Sequence, residues 1–316
     1  MNDVTTMRAI GQDVLGGPGV LREVTLERPK PRPNEVLVRV RAAGLNPTDW
    51  KHRATGGFLG EPPFVLGWDV SGEVAETGIG VAEFRPGDEV FGMLPYPFGH
   101  GSHAEYVIAP VRALWHKPPS VDHTQAGALP LVSLTAWQAL TERAGVRQGQ
   151  RVLIQAAAGG VGHVAAQIAT AHGAHVIGTA SAAKHDFLRE IGVAEPIDYH
   201  STDVTEAVRD VDVVLDTLGG ETALRSLRTL RPGGILVSIL PVGSRELYEE
   251  AERLGVRAVR MLVDADRAGM RSVAELVESG KLRASIAGTY PLADAAKAHE
   301  QGETGRTTGK LVLLVD

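Results

Sequence analysis

The stretch VLIQAAAGGVGHVAAQIATAHGAHVIGTAS, Val152–Ser181, decides the fold. An apolar run, VLIQA, ends in a cluster of small residues. A segment with helical spacing follows, and then a second apolar run, AHVIGTA. Strand, tight turn, helix and strand in that order make the opening half of a dinucleotide-binding unit. Such a turn usually reads Gly-x-Gly-x-x-Gly. Here the glycine positions hold Ala157, Gly159 and Gly162. Gly159 allows backbone to approach a pyrophosphate. Gly162, continued by Ala165, Ala166 and Ala169, lets the helix sit close to the sheet, and Gly160 adds freedom. Alanine at 157 requires a turn made at negative φ, because Cβ penalises the left-handed region.

The end of the second strand speaks to the cofactor. An NAD site usually has Asp or Glu there to accept from the ribose hydroxyls. This chain has Ala180 and then Ser181, with Lys184 one turn on. No acid repels a 2′-phosphate, the serine can donate to it and the lysine supplies charge. The expected cofactor is NADPH.

Working outward, the same rhythm continues. SAAKHDFLREIG reads as a helix, VDVVLDT as a strand, ETALRSLRTLRPG as a helix and GILVSIL as a strand. Alternation of this kind means a parallel sheet covered on both faces. Before about Gln125 the texture differs. EVLVRVRAAGLN sets Val36, Val38 and Val40 on one face and Leu37, Arg39 and Arg41 on the other, which is strand periodicity. VSGEVAETG and HAEYVIAP read similarly, between turn signals such as RPKPRPNE and FRPGDEV. Short strands at this density predict an irregular antiparallel barrel. TQAGALPLVSLTAWQALTERAG has helical spacing throughout. The last strand, KLVLLV, has no local partner and is expected to return to the first domain. Residues 1–6 read as a loose extension.

Bulk properties exclude several classes. The chain has 316 residues, 43% hydrophobic and 22% charged, with a formal net charge of −6. That balance argues against nucleic acid or an anionic membrane as the main partner. Absence of cysteine excludes disulfides, cysteine-ligated zinc and a cysteine nucleophile. No apolar run approaches the ~20 residues of a membrane span, and no secretory signal is read at the start, so the expected compartment is the cytoplasm.

The stretches AAGLNPTDWK, LGWDVSGEVAETGIGVAEFRPGDEVFGM, SHAEYV, LPLVSLTAWQAL, QAAAGGVGHVAAQIA, IDY, LDTLGG and GKLVLLV occur in that order. Together they resemble the medium-chain dehydrogenase/reductase superfamily, in its zinc-independent quinone oxidoreductase (zeta-crystallin-like) branch. The resemblance implies a GroES-like irregular β-barrel catalytic domain, residues 1–125 and 284–316. It also implies an inserted Rossmann domain, a doubly wound parallel sheet over 126–283, an active site between the two, and a homodimer. GGILVSIL is then the candidate edge strand for dimerisation. The positions that bind catalytic zinc in the alcohol-dehydrogenase branch fall on Asn46, Trp68 and Leu131 or Val132, so no metal is expected. His100 and His103 are read as loop histidines rather than a metal pair.

What the resemblance implies for chemistry is hydride transfer to a quinone or to the conjugated C=C of an enone or enal, where charge spreads onto an oxygen that hydrogen bonds stabilise. The catalytic positions it implies are Asn46, Asp49, Trp50, His103 and Thr135. Asn46 would donate to the substrate oxygen, Asp49 cap the helix or orient its neighbours, and Thr135 lie near the nicotinamide. The cofactor positions are Ala158, Gly159, Gly160, Val161, Gly162, Ser181, Lys184, Tyr199, Leu218 and Lys310. His103, Tyr96, Lys51 and water are all open as the proton donor, and 93–101 is expected to shape the substrate pocket. Two other readings stand beside this one: a biosynthetic ene-reductase with one specialised substrate, and a non-catalytic NADPH-binding protein.

Overall fold

The computed structural model describes residues 5–99, 101–240 and 245–316. Residues 1–4 of the expected N-terminal extension, and His100, lie outside them. Thr6 already belongs to a strand, Thr6–Gln12, so the extension is shorter than its polar composition predicts. The chain forms two compact units, one running to Leu134 and resuming at Asp264–Asp316, the other Thr135–Val263.

The second unit is built on a six-stranded sheet. Its order is Glu195–Asp198, His175–Ala180, Arg151–Ile154, Val211–Asp216, Leu230–Ser238 and Arg257–Arg260. Every pairing in it is parallel. Central strands bury consecutive residues, Val152, Leu153 and Ile154 in one and Val213, Val214 and Leu215 in the next. Burial without alternation is what helices on both faces demand. The strand holding GGILVS is paired on both sides, to Val211–Asp216 and to Arg257–Arg260. It is therefore not the edge. The edge on that side is RAVR, Arg257–Arg260, whose two arginines hide the strand from an apolar pattern yet suit an exposed rim.

The first unit holds a seven-stranded sheet ordered Ile286–Pro291, Lys310–Leu314, Glu35–Gly44, Asp69–Thr77, Glu89–Met93 and Leu114–His116, with Tyr106–Pro110 also paired to Glu35–Gly44. A three-stranded sheet of Arg22–Glu27, Thr6–Gln12 and Phe64–Val65 completes it. As expected, the terminal strand returns here: Val312, Leu313 and Leu314 pair antiparallel with Gly44, Ala43 and Ala42. Val36, Val38 and Val40 are buried while Arg39 is exposed. The long helical stretch after Gln125 is not continuous. It breaks before Pro130, giving His123–Ala128 and Pro130–Trp137, and widens into π-helical turns over Gln138–Arg143. Proline has no N–H for the preceding turn and clashes with it.

Candidate active site

In the second unit the glycine turn is built as its composition requires. Ala157 takes negative φ; the left-handed residue is its neighbour Ala156, at φ 48°. Buried side chains brace that unfavourable conformation. The Ala156 N–H donates to Thr179 Oγ1 (3.0 Å), the Thr179 hydroxyl donates to Gln155 Oε1 (2.8 Å), and Gln155 Nε2 donates to Ser226 Oγ (2.9 Å). Helix Gly160–Ala171 then begins with no side-chain cap and no acid in its first turn. That leaves the first-turn N–H groups and the positive end of the helix dipole for an anion.

The two glycines of the turn do different jobs. A Cβ on Gly162 would run into Ala156 O and stand 2.7 Å from Ala157 Cα, so the helix can approach the strand only without it. A Cβ on Gly159 would meet only Ala156 O, at 3.2 Å. That contact is tight but needs only a few tenths of an ångström of give, so the fold itself asks less of position 159 than of position 162. Ala158 precedes Gly159, and Gly160 and Val161 lie between the two glycines.

Register gathers the other expected cofactor positions. Ala180 pairs with Asp198, so Ser181 and Tyr199 leave neighbouring strand ends side by side. Tyr199 is exposed and stacks on His200, with ring centres 4.2 Å apart. Lys184 closes the short turn after Ser181. Leu218 is exposed, and its N–H donates to Asp216 Oδ1 (3.1 Å). All of these lie at the carboxyl ends of parallel strands, where open α/β sheets bind ligands. Thr135 is buried in the same unit, beside the start of the π-helical turns.

The first unit places Asn46 in an unexpected setting. Asn46 precedes helix Pro47–Thr55, and Asp49 Oδ2 accepts its backbone N–H (2.6 Å), the half of a capping box anticipated for Asp49. The Asn46 side chain is only 1% exposed. Its Nδ2 donates to Asp69 Oδ2 (2.8 Å) and distantly to Gly44 O (3.5 Å), while Oδ1 accepts from Lys310. Lys310 Nζ donates as well to Leu45 O (2.6 Å) and Asp69 Oδ2 (3.3 Å). All three ammonium hydrogens are thus committed inside this unit, which gives Lys310 a different place from the cofactor contact expected of it. The Leu131 N–H donates to Asp69 Oδ1 (2.6 Å).

Burial dominates the electrostatics of this cluster. It pushes the Asp49 carboxyl up to about 7, helped by the neighbouring Asp69 and opposed by the Asn46 N–H and by Lys310. Burial also pushes Asp69 up, against the pull of Lys310, and pushes Lys310 down. Two carboxyls share one ammonium, and the cluster is neutral when Asp49 keeps its proton. Sequence reading missed Asp69. The one available signal was an acid inside the apolar run LGWDVSG, a place where an unpaired charge is too costly to stand.

The other expected catalytic side chains are also removed from solvent. His103 is fully buried, and neither ring nitrogen has a partner among the described residues. Burial pulls its pKa down to about 3, so at neutral pH the ring holds no transferable charge. Trp50 packs edge-on to His299 at 6.2 Å and against Gly302, where a Cβ would stand 2.6 Å from the ring. It is a packing residue of the helix pair rather than an exposed aromatic wall. Tyr96 is different. It is half-buried among aromatic rings, 5.2 Å from Trp68 and 6.2 Å from the exposed Phe58, and its hydroxyl accepts from Thr48 Oγ1 (3.2 Å).

The zinc positions of the alcohol-dehydrogenase branch do not fit a metal here. The Asn46 amide is bonded to Asp69 and Lys310, the Trp68 indole N–H donates to Phe98 O (2.7 Å), and Leu131 and Val132 carry no donor atom. Among the described residues no helix is long and apolar enough to cross a membrane.

Comparison with known proteins agrees with this architecture. Residues 32–119 match the alcohol dehydrogenase GroES-like domain family, and residues 191–313 the zinc-binding dehydrogenase family. The chain is 32% identical to the mitochondrial NAD(P)H oxidoreductase RTN4IP1 of Danio rerio, over 90% of this chain and 84% of that one. It is 31% identical to the quinone oxidoreductase of Mus musculus, over 98% of both chains. Its fold superposes on the quinone oxidoreductase from Coxiella burnetii with a TM-score of 0.93 at 38% identity, covering 99% of this chain and 100% of the other. With a GroES-like unit, a parallel-sheet nucleotide unit and these relatives, the chain belongs to the medium-chain dehydrogenase/reductase family and is an oxidoreductase of its quinone oxidoreductase branch.

Proposed function

We propose that this protein is an NADPH-dependent, metal-free reductase of conjugated acceptors, either quinones or the C=C of enones and enals. The observation that carries the cofactor choice is the sheet edge where Ser181 and Tyr199 emerge together beside Lys184, with Ala180 where an NAD site has an acid. Gly159 and the uncapped start of helix Gly160–Ala171 suit the pyrophosphate. When bound, the nicotinamide supplies a hydride. The chain's own task is to bind the acceptor, keep water from the reacting atoms and stabilise the oxygen on which charge collects. Conjugated acceptors suit a site with no Lewis acid, because their charge is delocalised where that of a plain ketone is not. The Asn46–Asp69–Lys310 cluster serves this site as rigid support beneath helix Pro47–Thr55, since its donors are already occupied. A homodimer is proposed through the edge Arg257–Arg260.

The test is initial rates with NADPH against NADH, with and without a chelator, on one quinone, one enone, one enal and one saturated ketone. NADPH turnover of the conjugated acceptors, with no reduction of the ketone, is expected. Equal use of NADH, or ketone reduction abolished by the chelator, overturns the reading.

A further inference from the structure

We infer that the Tyr96 hydroxyl is the hydrogen-bond and proton donor to the acceptor oxygen, held in that role by a one-way hydrogen-bond chain from His52 through Thr48. The inference rests on the reductase reading above for its substrate, but the chain itself is read from geometry. His52 Nδ1 lies 2.7 Å from Thr48 O and 3.0 Å from Thr48 Oγ1. A backbone carbonyl only accepts, so Nδ1 must carry the ring proton. The Thr48 hydroxyl then cannot donate to Nδ1; it accepts there, and its single hydrogen goes to Tyr96 Oη, 3.2 Å away. Tyr96 Oη receives that bond, and its own O–H has no acceptor among the described residues.

The scaffold makes the order robust. Thr48 and His52 are four residues apart on helix Pro47–Thr55, so both face the same side. His52 is buried, and burial holds its pKa low, so the ring is neutral with one tautomer. Trp68, Phe58 and His52 ring the phenol edge to face, at 5.2, 6.2 and 6.1 Å. Burial foremost, with the Asp49 carboxyl assisting, raises the Tyr96 pKa against the opposing Thr48 bond, which keeps the phenol protonated. A phenol is also close in acidity to the enolate or hydroquinone formed, the match that general acid catalysis favours.

In the step itself the Tyr96 O–H bond breaks and an O–H bond forms on the acceptor. The two electrons arrive with the nicotinamide's hydride on carbon, and the phenolate regains a proton from water, which the half-exposed ring can reach. Of the four candidates left open by the sequence, this singles out Tyr96 over the uncharged, buried His103.

Two measurements test it. The first needs no turnover: ¹⁵N NMR of histidine-labelled protein, with the His52 signal assigned by its loss in His52→Asn. A neutral Nδ1–H tautomer is expected. An Nε2–H tautomer reverses the chain, commits the Tyr96 hydrogen to Thr48 and overturns the inference. The second is kinetic. Tyr96→Phe should lower kcat by roughly 10²-fold, the scale of a lost general acid, with NADPH Kd unchanged. Thr48→Val should lower it less, and Thr48→Ser should restore it. Parent-like kcat in Tyr96→Phe overturns the inference, whereas a parent chain inactive on every acceptor overturns the reductase reading and leaves the tautomer to decide the chain.

Discussion

Replacing Lys310 with Met puts a number on the buried cluster. The variant keeps the side chain up to the position of Cε and removes the cation bonded to Asp69, which is itself fully buried. Asp69 then has two choices. It stays charged without a counter-ion, at about 3–5 kcal/mol, or it takes up a proton. From its ordinary value of 3.8, protonation at pH 7 costs about 4 kcal/mol. The second route caps the loss and fixes its pH dependence. In the variant the folded-state pKa lies above the unfolded value, so the folded form holds the proton more tightly and stability falls as pH rises above 3.8. At pH 5 the same protonation costs about 1.6 kcal/mol, so between pH 7 and pH 5 the deficit shrinks by at most about 3 kcal/mol, less what the parent, whose own Asp69 is already pushed up by burial, gains over the same range. Guanidinium unfolding followed by tryptophan fluorescence reads this directly. Trp50, Trp68 and Trp115 lie in the first unit, and the fourth tryptophan, Trp137, in the second. Adding Asp69→Asn should recover most of the loss, because a neutral amide needs no counter-ion. A deficit below about 1 kcal/mol at pH 7, under the range for a broken buried pair, or one equal at both pH values, would refute the account.

The other expectations concern the turn and the second carboxyl. Gly159→Ala, whose Cβ meets one backbone oxygen at 3.2 Å, should lower the unfolding midpoint little and lower NADPH affinity in a fluorescence titration, whereas Gly162→Ala, whose Cβ would overlap three backbone atoms, should cost about 1–3 kcal/mol of stability as well. Equal effects of the two would remove the distinction drawn between them. Asp49 has a raised folded pKa of about 7 against 3.8 unfolded, so its contribution favours the fold at low pH and fades as pH climbs through that window. Asp49→Asn should therefore gain about 2–4 kcal/mol over the parent at pH 8 and nearly nothing near pH 4; a gain that does not vary with pH would contradict the assignment.

The nucleotide unit was legible because its signals are local. Val152–Ile154 is apolar on both faces, Gly159 and Gly162 follow at once, and Ala180 ends the next strand within thirty residues. Arg257–Arg260 escaped notice because an edge strand guards itself with charge, which erases the apolar pattern that announces interior strands. The first unit's site was only half legible. Asn46 and Asp49 stand out beside Pro47, yet what surrounds them does not. Asp69 meets Lys310 across 241 positions of sequence, and no periodicity carries information that far. Asn46 and Asp49, two of the positions expected to be catalytic, join in capping helix Pro47–Thr55. Tyr96 showed no more than a phenol in a loop until the direction of its hydrogen bond was known.

Because the final strand lies between Glu35–Gly44 and Ile286–Pro291, the first unit is assembled from both extremes of the chain. Synthesis proceeds in one direction, and domains close as units while the chain emerges. Thr135–Val263 is contiguous and leaves the ribosome whole, with all its strands in hand. The first unit must wait with Ala42–Gly44 lacking one neighbour until Lys310–Leu314 is made. During that interval Asp49 and Asp69 have no ammonium to face, and sealing them away is unfavourable. The buried cluster beneath helix Pro47–Thr55 therefore cannot be sealed until Lys310 has been made.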